Sequence, residues 1–215
     1  METKYELLLP ALLQSGWDDE RGRLAPLRKS AYYEQLMRAY ADLRVDTLYQ
    51  SGLHGPGHIE RVLLLGALIA RNEDLSPADA RLLLRCCAYH DLGRVDDWED
   101  PDHGARSASM LASEAFAFAR QELSAAELPI LYAAVAAHSR SGKQRRELGE
   151  RYGVFPADFA RYEEIAACLK DADNLDRVRL YDLDPSRLRH EESLALIPLA
   201  EALYRKYREL AGSTV

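Results

Sequence analysis

LLLRCCAYHDLGR, residues 82–94, decides how this chain reads. Its first part is an apolar run with leucines and cysteines at helical spacing, and it ends on the adjacent pair His90-Asp91. Neighbouring side chains on a helix diverge by roughly 100°, so the two cannot both line one face. At a helix end, imidazole and carboxylate can still turn onto the same cation. Working outward from the pair gives His58 upstream, then His103, His138 and Asp173 downstream. Four of the six histidines thus join two aspartates in one ordered series, a donor set suited to a metal centre.

The surrounding segments carry helical periodicity and none shows convincing strand alternation, so the expected fold is all-α. Helices are predicted over about 3–14, 29–49, 56–72, 77–90, 103–121, 125–138, 157–173 and 191–211. Ser76-Pro77 followed by Asp79 reads as an N-cap with proline at the first helical position, and Ser124 with Glu127 as another helix start. Breakers fall between the helices at Gly52, Gly55-Pro56-Gly57, Pro101, Gly142, and Gly153 with Pro156. The polar, basic stretch 139–156 reads as an exposed loop or short helix. The tail EESLALIPLAEALYRKYREL, residues 191–210, opens with Glu191 and Glu192 and carries Arg205, Lys206 and Arg208 near its end, which complements the helix dipole. Pro198 is expected to kink it, and its role is to pack against and close the bundle.

With 215 residues and 47% hydrophobic content, the chain suits one helical domain over 1–215. Its core spans about 50–180, with N-terminal helices over 1–49 and a C-terminal packing helix over 185–215. A net charge of −7 argues against stable nucleic-acid binding. No stretch approaches the roughly 20 apolar residues that span a bilayer, and the N-terminus lacks a basic, signal-like region. Three cysteines, two of them the neighbours Cys86 and Cys87 in an apolar helical run, read as packing residues in a reduced compartment. The expected location is cytoplasmic.

The register of the series places it on buried faces. His58 is followed by Val62, Leu65 and Ile69 at i+4, i+7 and i+11, and His90 is preceded by Leu83 and Cys86. His138 follows Leu131 and Ala134, and Asp173 follows Ala166 and Leu169. Each metal-capable side chain therefore projects from an apolar stripe. A buried carboxylate needs a cation or strong hydrogen bonds, and a shared metal satisfies all four sites at once. A mixed His/carboxylate set without thiolates suits one or two divalent ions among Mn²⁺, Fe, Co²⁺, Ni²⁺ and Mg²⁺, with positions left open for chemistry.

Five stretches in order resemble the HD-domain superfamily of metal-dependent phosphohydrolases: HGPGHIERVLLLG (54–66), CCAYHDLGR (86–94), DPDHGARSAS (100–109), AVAAHS (134–139) and LKDADNLDRVRL (169–180). The resemblance covers about residues 50–180. It implies an all-helical HD-type domain with a divalent metal at the centre of the bundle, held by His58, His90, Asp91 and Asp173. Asp171 is then expected behind the ligand Asp173. The resemblance also implies hydrolysis of a phosphate ester or anhydride, with a nucleotide or another small phosphorylated metabolite as substrate. His103 and His138 correspond to histidines that either bind a second metal or face the substrate. The 13-residue step from His90 to His103 is short for a binuclear member.

Phosphoryl chemistry also needs cationic donors, and arginine suits bidentate phosphate binding. Arg94 lies three residues past Asp91, Arg106 three past His103 and Arg61 three past His58, while Lys170 and Arg177 bracket Asp173. The catalytic group expected is Asp91, His103, His138, Arg94 and Arg106. Asp91, or Asp96 or Asp97, would assist proton transfer, and His103 or His138 would stabilise phosphoryl charge or protonate the leaving oxygen. Most carboxylates of 96–103 read as a solvated loop. His54 reads either as a donor behind the ligands or as a solvated loop histidine, and His190 as a surface residue near a helix start. Two further readings fit the same ligand set: an HD-type di-iron oxygenase, and a non-catalytic HD module that binds a ligand.

Overall fold

The computed structural model describes residues 5–212, which form α-helices and short 3₁₀ turns, with no strand among the described residues. In chain order the helices are α1 (Leu9–Gln14), α2 (Leu24–Arg28), α3 (Ala31–Asp42), α4 (Pro56–Asn72), α5 (Pro77–Tyr89), α6 (His103–Ala112), α7 (Glu127–His138), α8 (Arg145–Arg151), α9 (Phe159–Leu175), α10 (Glu191–Ala195) and α11 (Ile197–Gly212). Among the described residues, no helix is long and apolar enough to cross a membrane.

Local chemistry sets several of these boundaries. Ser76 accepts a hydrogen bond from the Asp79 backbone N–H at 3.2 Å, capping α5 just before Pro77. Glu127 accepts from the Ser124 N–H at 2.7 Å, the carboxylate half of a capping box at α7. The helix predicted over 103–121 ends at Ala112, because Ser113 is extended and a 3₁₀ stretch, Glu114–Arg120, follows. The tail helix is divided at Leu196 into α10 and α11. Pro198 lacks an N–H and its ring would clash with the carbonyl four residues back, so the helix restarts there. The first two predicted helices are shorter than expected, at Leu9–Gln14 and Ala31–Asp42, and α2 was not foreseen. Residues 3 and 4 of the first lie outside the described residues.

The bundle is organised around α4. It packs on α3, α5, α9 and α11, and all but three of its residues are buried, so its apolar side chains cover every face rather than one stripe. Leu63, Leu64, Leu65 and Leu68 are essentially inaccessible, each contributing about 1.5–3 kcal/mol of burial. Gly66 lets α5 approach closely, since a Cβ there would stand 2.7 Å from the Cys87 Sγ. The α7 segment is likewise buried from Ile130 to His138 apart from Tyr132, and it packs on α5, α6 and α9. Cys86, Cys87 and Cys168 are free, buried thiols.

Glu60 ties the segment before α1 and the helix α11 to α4. Its carboxylate accepts from the Leu9 N–H at 2.9 Å, from the Tyr5 hydroxyl at 2.9 Å and from the Tyr207 hydroxyl at 3.2 Å. Burial still pushes the Glu60 carboxyl above its usual range, with those three donors opposing the shift. The N-terminal segment therefore docks on α4 and covers the core.

Candidate metal centre

Five helix ends meet at one end of this bundle. His58 lies in the first turn of α4, His90 directly follows α5, and Asp91 begins the turn after it. His103 is the first residue of α6, His138 the last of α7, and Asp173 lies in the final turn of α9. The ends of α5, α7 and α9 present their negative dipole poles here, which favours a cation. Two glycines permit the convergence. A Cβ at Gly93 would stand 2.6 Å from the His103 carbonyl, and one at Gly104 would stand 2.8 Å from the Val135 carbonyl.

The expected ligands are brought together. His58 Nε2 lies 3.1 Å from His90 Nε2, 3.4 Å from Asp173 Oδ1 and 3.6 Å from Asp91 Oδ2. His90 Nε2 lies 3.7 Å from Asp91 Oδ2 and 3.9 Å from Asp173 Oδ1. The other Asp91 oxygen, Oδ1, faces a second pair, 3.1 Å from His103 Nε2 and 3.4 Å from His138 Nε2. Those two nitrogens are 2.8 Å apart. The Asp91 carboxylate therefore stands between two donor groups, one oxygen toward each. The short step from His90 to His103 does not prevent this, because the turn 91–102 folds α6 directly back onto the end of α7.

Hydrogen bonding fixes which nitrogens face inward. His90 Nδ1 lies 2.9 Å from the Cys87 carbonyl, His138 Nδ1 lies 2.6 Å from the Val135 carbonyl, and His103 Nδ1 is bonded to the Asp100 carbonyl. A carbonyl only accepts, so each Nδ1 carries a proton, and in the neutral ring each Nε2 presents a lone pair. His58 reaches the same state through Asp176, whose Oδ2 accepts from Nδ1 at 2.7 Å. Asp176 also accepts from Arg61 Nε and Nη2 at 2.6 and 2.9 Å.

Paired lone pairs at 2.8 and 3.1 Å repel each other unless a cation stands between them. Neighbouring ligands about 2.1 Å from one ion are roughly 3 Å apart, so the observed spacing fits shared coordination. The electrostatics agree. Burial pushes the His90 imidazole down to about 3, despite the nearby Asp91 and Asp173 charges. Burial alone would raise the Asp91 and Asp173 carboxyls, but the surrounding imidazoles hold both well below the usual range. Asp176 is likewise held down to about 2 against its burial, chiefly by Arg61 and by the His58 hydrogen bond. Ionised carboxylates beside imidazole lone pairs make a donor set that a divalent cation satisfies.

A cavity of about 890 Å³ opens from this centre. Asp91, His103, His138 and Asp173 form its floor, and none of the described residues before His54 lines it. Arg94, Arg140, Lys170, Arg177, Arg179 and Arg189 give it a cationic wall. Arg94 donates to Asp91 Oδ2 at 3.3 Å, and Arg179 donates to His54 Nδ1 at 3.1 Å. Burial, with Arg189 and Arg145 nearby, pushes the Lys170 ammonium down to about 8. Across the cavity lie Asp97, Glu99, Asp100 and the exposed Trp98.

Three sequence expectations need correction, and one open alternative, at His54, is resolved. Arg106 is not brought to the centre. It donates to the Gly93 carbonyl at 2.9 Å and pairs with Asp100, lining a separate surface cleft with Leu92 and Met110. Asp171 does not stand behind Asp173. Two positions apart on a helix is roughly 200° around the axis, and the Asp171 carboxylate instead accepts from the Arg189 and His190 backbone and from His190 Nδ1. His190 is accordingly half-buried rather than a surface residue. His54 is buried, with Nδ1 3.5 Å from Asp91 Oδ2, so it is no solvated loop histidine. Asp176 and Arg179 were missed. Their one signal was position, three residues past Asp173 and three past Asp176 on the same helical end.

The HD domain family model matches residues 57–178 of the chain, a span that holds every one of the converging ligand candidates. Comparison with curated proteins and with solved structures returned no match.

Proposed function

The chain belongs to the HD domain family, and on that premise we propose that it is a phosphohydrolase that cleaves a phosphate ester or anhydride in a nucleotide or another small, multiply charged metabolite. The observation that carries this reading is the meeting of inward-facing Nε2 atoms and two ionised aspartates at the floor of an arginine-rich cavity. His58, His90, Asp91 and Asp173 would hold one divalent cation, and His103 and His138 would hold a second with Asp91 shared between them. Bound there, a divalent cation supplies Lewis acidity, polarising a phosphoryl oxygen and making water nucleophilic near neutral pH.

The remaining work falls to this chain's own side chains. Arg177, Arg140 and Lys170 face the cavity and would neutralise the non-bridging oxygens of the substrate. Arg94 holds the Asp91 carboxylate in place through its Nε. Arg179 fixes the deep wall, donating to the Leu53 carbonyl and to His54. Asp97, which accepts from the Ser51 hydroxyl at 2.6 Å, also lines the cavity and would assist proton transfer. Asp96 does not line the cavity. The exposed Trp98 offers a ring face at the mouth, where a nucleobase would stack.

Phosphate and pyrophosphate release from a panel of nucleotides and phosphomonoesters, with Mn²⁺, Co²⁺, Ni²⁺ or Mg²⁺ added, tests the reading. Metal-dependent release is expected, and Asp91→Ala should reduce it by about 10³-fold or more, because one carboxylate serves both donor groups. Release that survives in Asp91→Ala would sink the proposal. Silence across the panel from folded, iron-loaded protein, together with O₂ consumption, would favour the di-iron oxygenase reading, which the two-sided Asp91 also accommodates.

A further inference from the structure

A second group of metal-capable side chains lies on α9, away from the cavity. Glu164 and Cys168 stand one turn apart on one face of that helix, and His190, just before α10, closes over them. His190 Nε2 is 3.3 Å from Glu164 Oε1, and Cys168 Sγ is 3.6 Å from the same oxygen. All three ligand atoms lie within 4.8 Å of one another. Sulfur, nitrogen and oxygen ligands 2.0–2.3 Å from a tetrahedral zinc ion stand roughly 3.3–3.8 Å apart, so both measured separations already match a shared ion.

The orientation of His190 is an independent observation. Its Nδ1 lies 2.9 Å from Asp171 Oδ2, and that carboxylate is completely buried and held by the Arg189 and His190 backbone N–H groups. The arrangement is the carboxylate–imidazole pairing that sets the tautomer of metal-ligating histidines, with Nδ1 donating and Nε2 left for the ion. We propose that Glu164, Cys168 and His190 form a thiolate-containing binding site for a zinc-class divalent cation, distinct from the centre at Asp91.

The donor chemistry sets the ligand. Thiolate, imidazole and carboxylate together select zinc over magnesium or calcium, and the two anionic donors would balance its charge. Burial raises the Cys168 thiol, so binding would displace its proton to solvent as the sulfur coordinates. The Glu73 carboxylate lies near enough to add negative potential at both Cys168 and His190. Glu164 is half-exposed, which leaves an entry path and an open fourth position. The site has a structural consequence. Arg187, Leu188 and Arg189 line the cavity wall immediately before His190, so an ion here would tie that wall to α9.

Cobalt reports on this site separately, because the inner centre offers only nitrogen and oxygen donors. Metal-stripped protein titrated with Co²⁺ should develop a thiolate-to-cobalt charge-transfer absorption in the near ultraviolet. The band should persist in Asp91→Ala and disappear in Cys168→Ser, with circular dichroism confirming that both fold. Folded wild-type protein that binds cobalt without the band overturns the proposal, as does a band that survives Cys168→Ser. Should Cys168→Ser not fold, His190→Gln carries the test. The cobalt concentration needed for the band should rise more than about tenfold, and an unchanged titration overturns the site.

Discussion

His90, His103 and His138 are each oriented by the carbonyl three residues earlier in their own turn, whereas His58 is oriented by Asp176, 118 residues further along the chain. The difference follows from position in the helix. His90 closes α5, His138 ends α7 and His103 follows a turn, so in each case the carbonyl three residues back keeps a lone pair for the ring. His58 sits in the first turn of α4, where the Gly55 carbonyl already accepts from the N–H groups of both His58 and Ile59, at 3.0 and 3.3 Å. Its ring must therefore borrow an acceptor from another element, and a buried carboxylate needs its own partner, which Arg61 supplies. Local support costs the fold little, while remote support makes the site depend on a buried ion pair.

The strongest way to break the comparison is to remove the rings themselves. His58→Ala empties the donor group made with His90 and Asp173, and phosphate release should fall by about 10³-fold, roughly 4 kcal/mol of barrier. His103→Ala removes one member of the other group and should cost about 10–100-fold, with metal content dropping by up to one ion per chain. Metal analysis alongside rates checks both. Equal losses from the two substitutions, with equal metal content, would mean that Asp91 joins the groups into one unit.

A second substitution leaves every proposed ligand in place. Asp176→Asn removes the charge that orients His58 and leaves Arg61 buried without its counter-ion. Breaking a buried pair from one side costs about 3–5 kcal/mol, which corresponds to a melting temperature lower by roughly 6–20 °C for a chain of this size. Metal affinity should weaken by about 10–100-fold, the usual cost of losing a carboxylate behind a ligating histidine. Pairing Asp176→Leu with Arg61→Met should recover much of the melting temperature and none of the affinity. Affinity that returns with stability would show that His58 needs no remote partner.

The same contrast explains what was legible in the sequence. The series His58, His90, Asp91, His103, His138 and Asp173 could be read because each residue stands at the end of a long apolar segment bounded by breakers, and such segments survive in a one-dimensional string. The helices of the core followed for that reason, with α4 and α5 predicted to within a residue at each end. Asp176 was not legible, because nothing in its neighbourhood says that its partners are Arg61 and His58. The Asp171 expectation failed on a related point: residues two apart on a helix face opposite sides, so proximity in the motif was not proximity in space. Nor did the sequence show α2, a five-residue helix too short for a periodic signal.

Arg106 offers the smallest and most discriminating effect. Spacing from His103 made it a candidate for phosphate binding, yet its guanidinium bridges the Gly93 carbonyl and Asp100 on the outer side of α6. It serves the turn that carries Asp91, not the cavity that Arg94 and Arg177 line. The Arg106–Asp100 pair is substantially exposed, so losing it should cost under about 1 kcal/mol. Arg106→Ala should therefore leave KM for a phosphorylated substrate within about twofold of wild type, while Arg177→Ala raises it by about tenfold or more, the loss of one charge-assisted contact. Steady-state kinetics on the two variants side by side decide the matter. A rise in KM for Arg106→Ala equal to that for Arg177→Ala would mean that α6 turns its outer face toward the substrate, and the division between cavity and cleft would have to be redrawn.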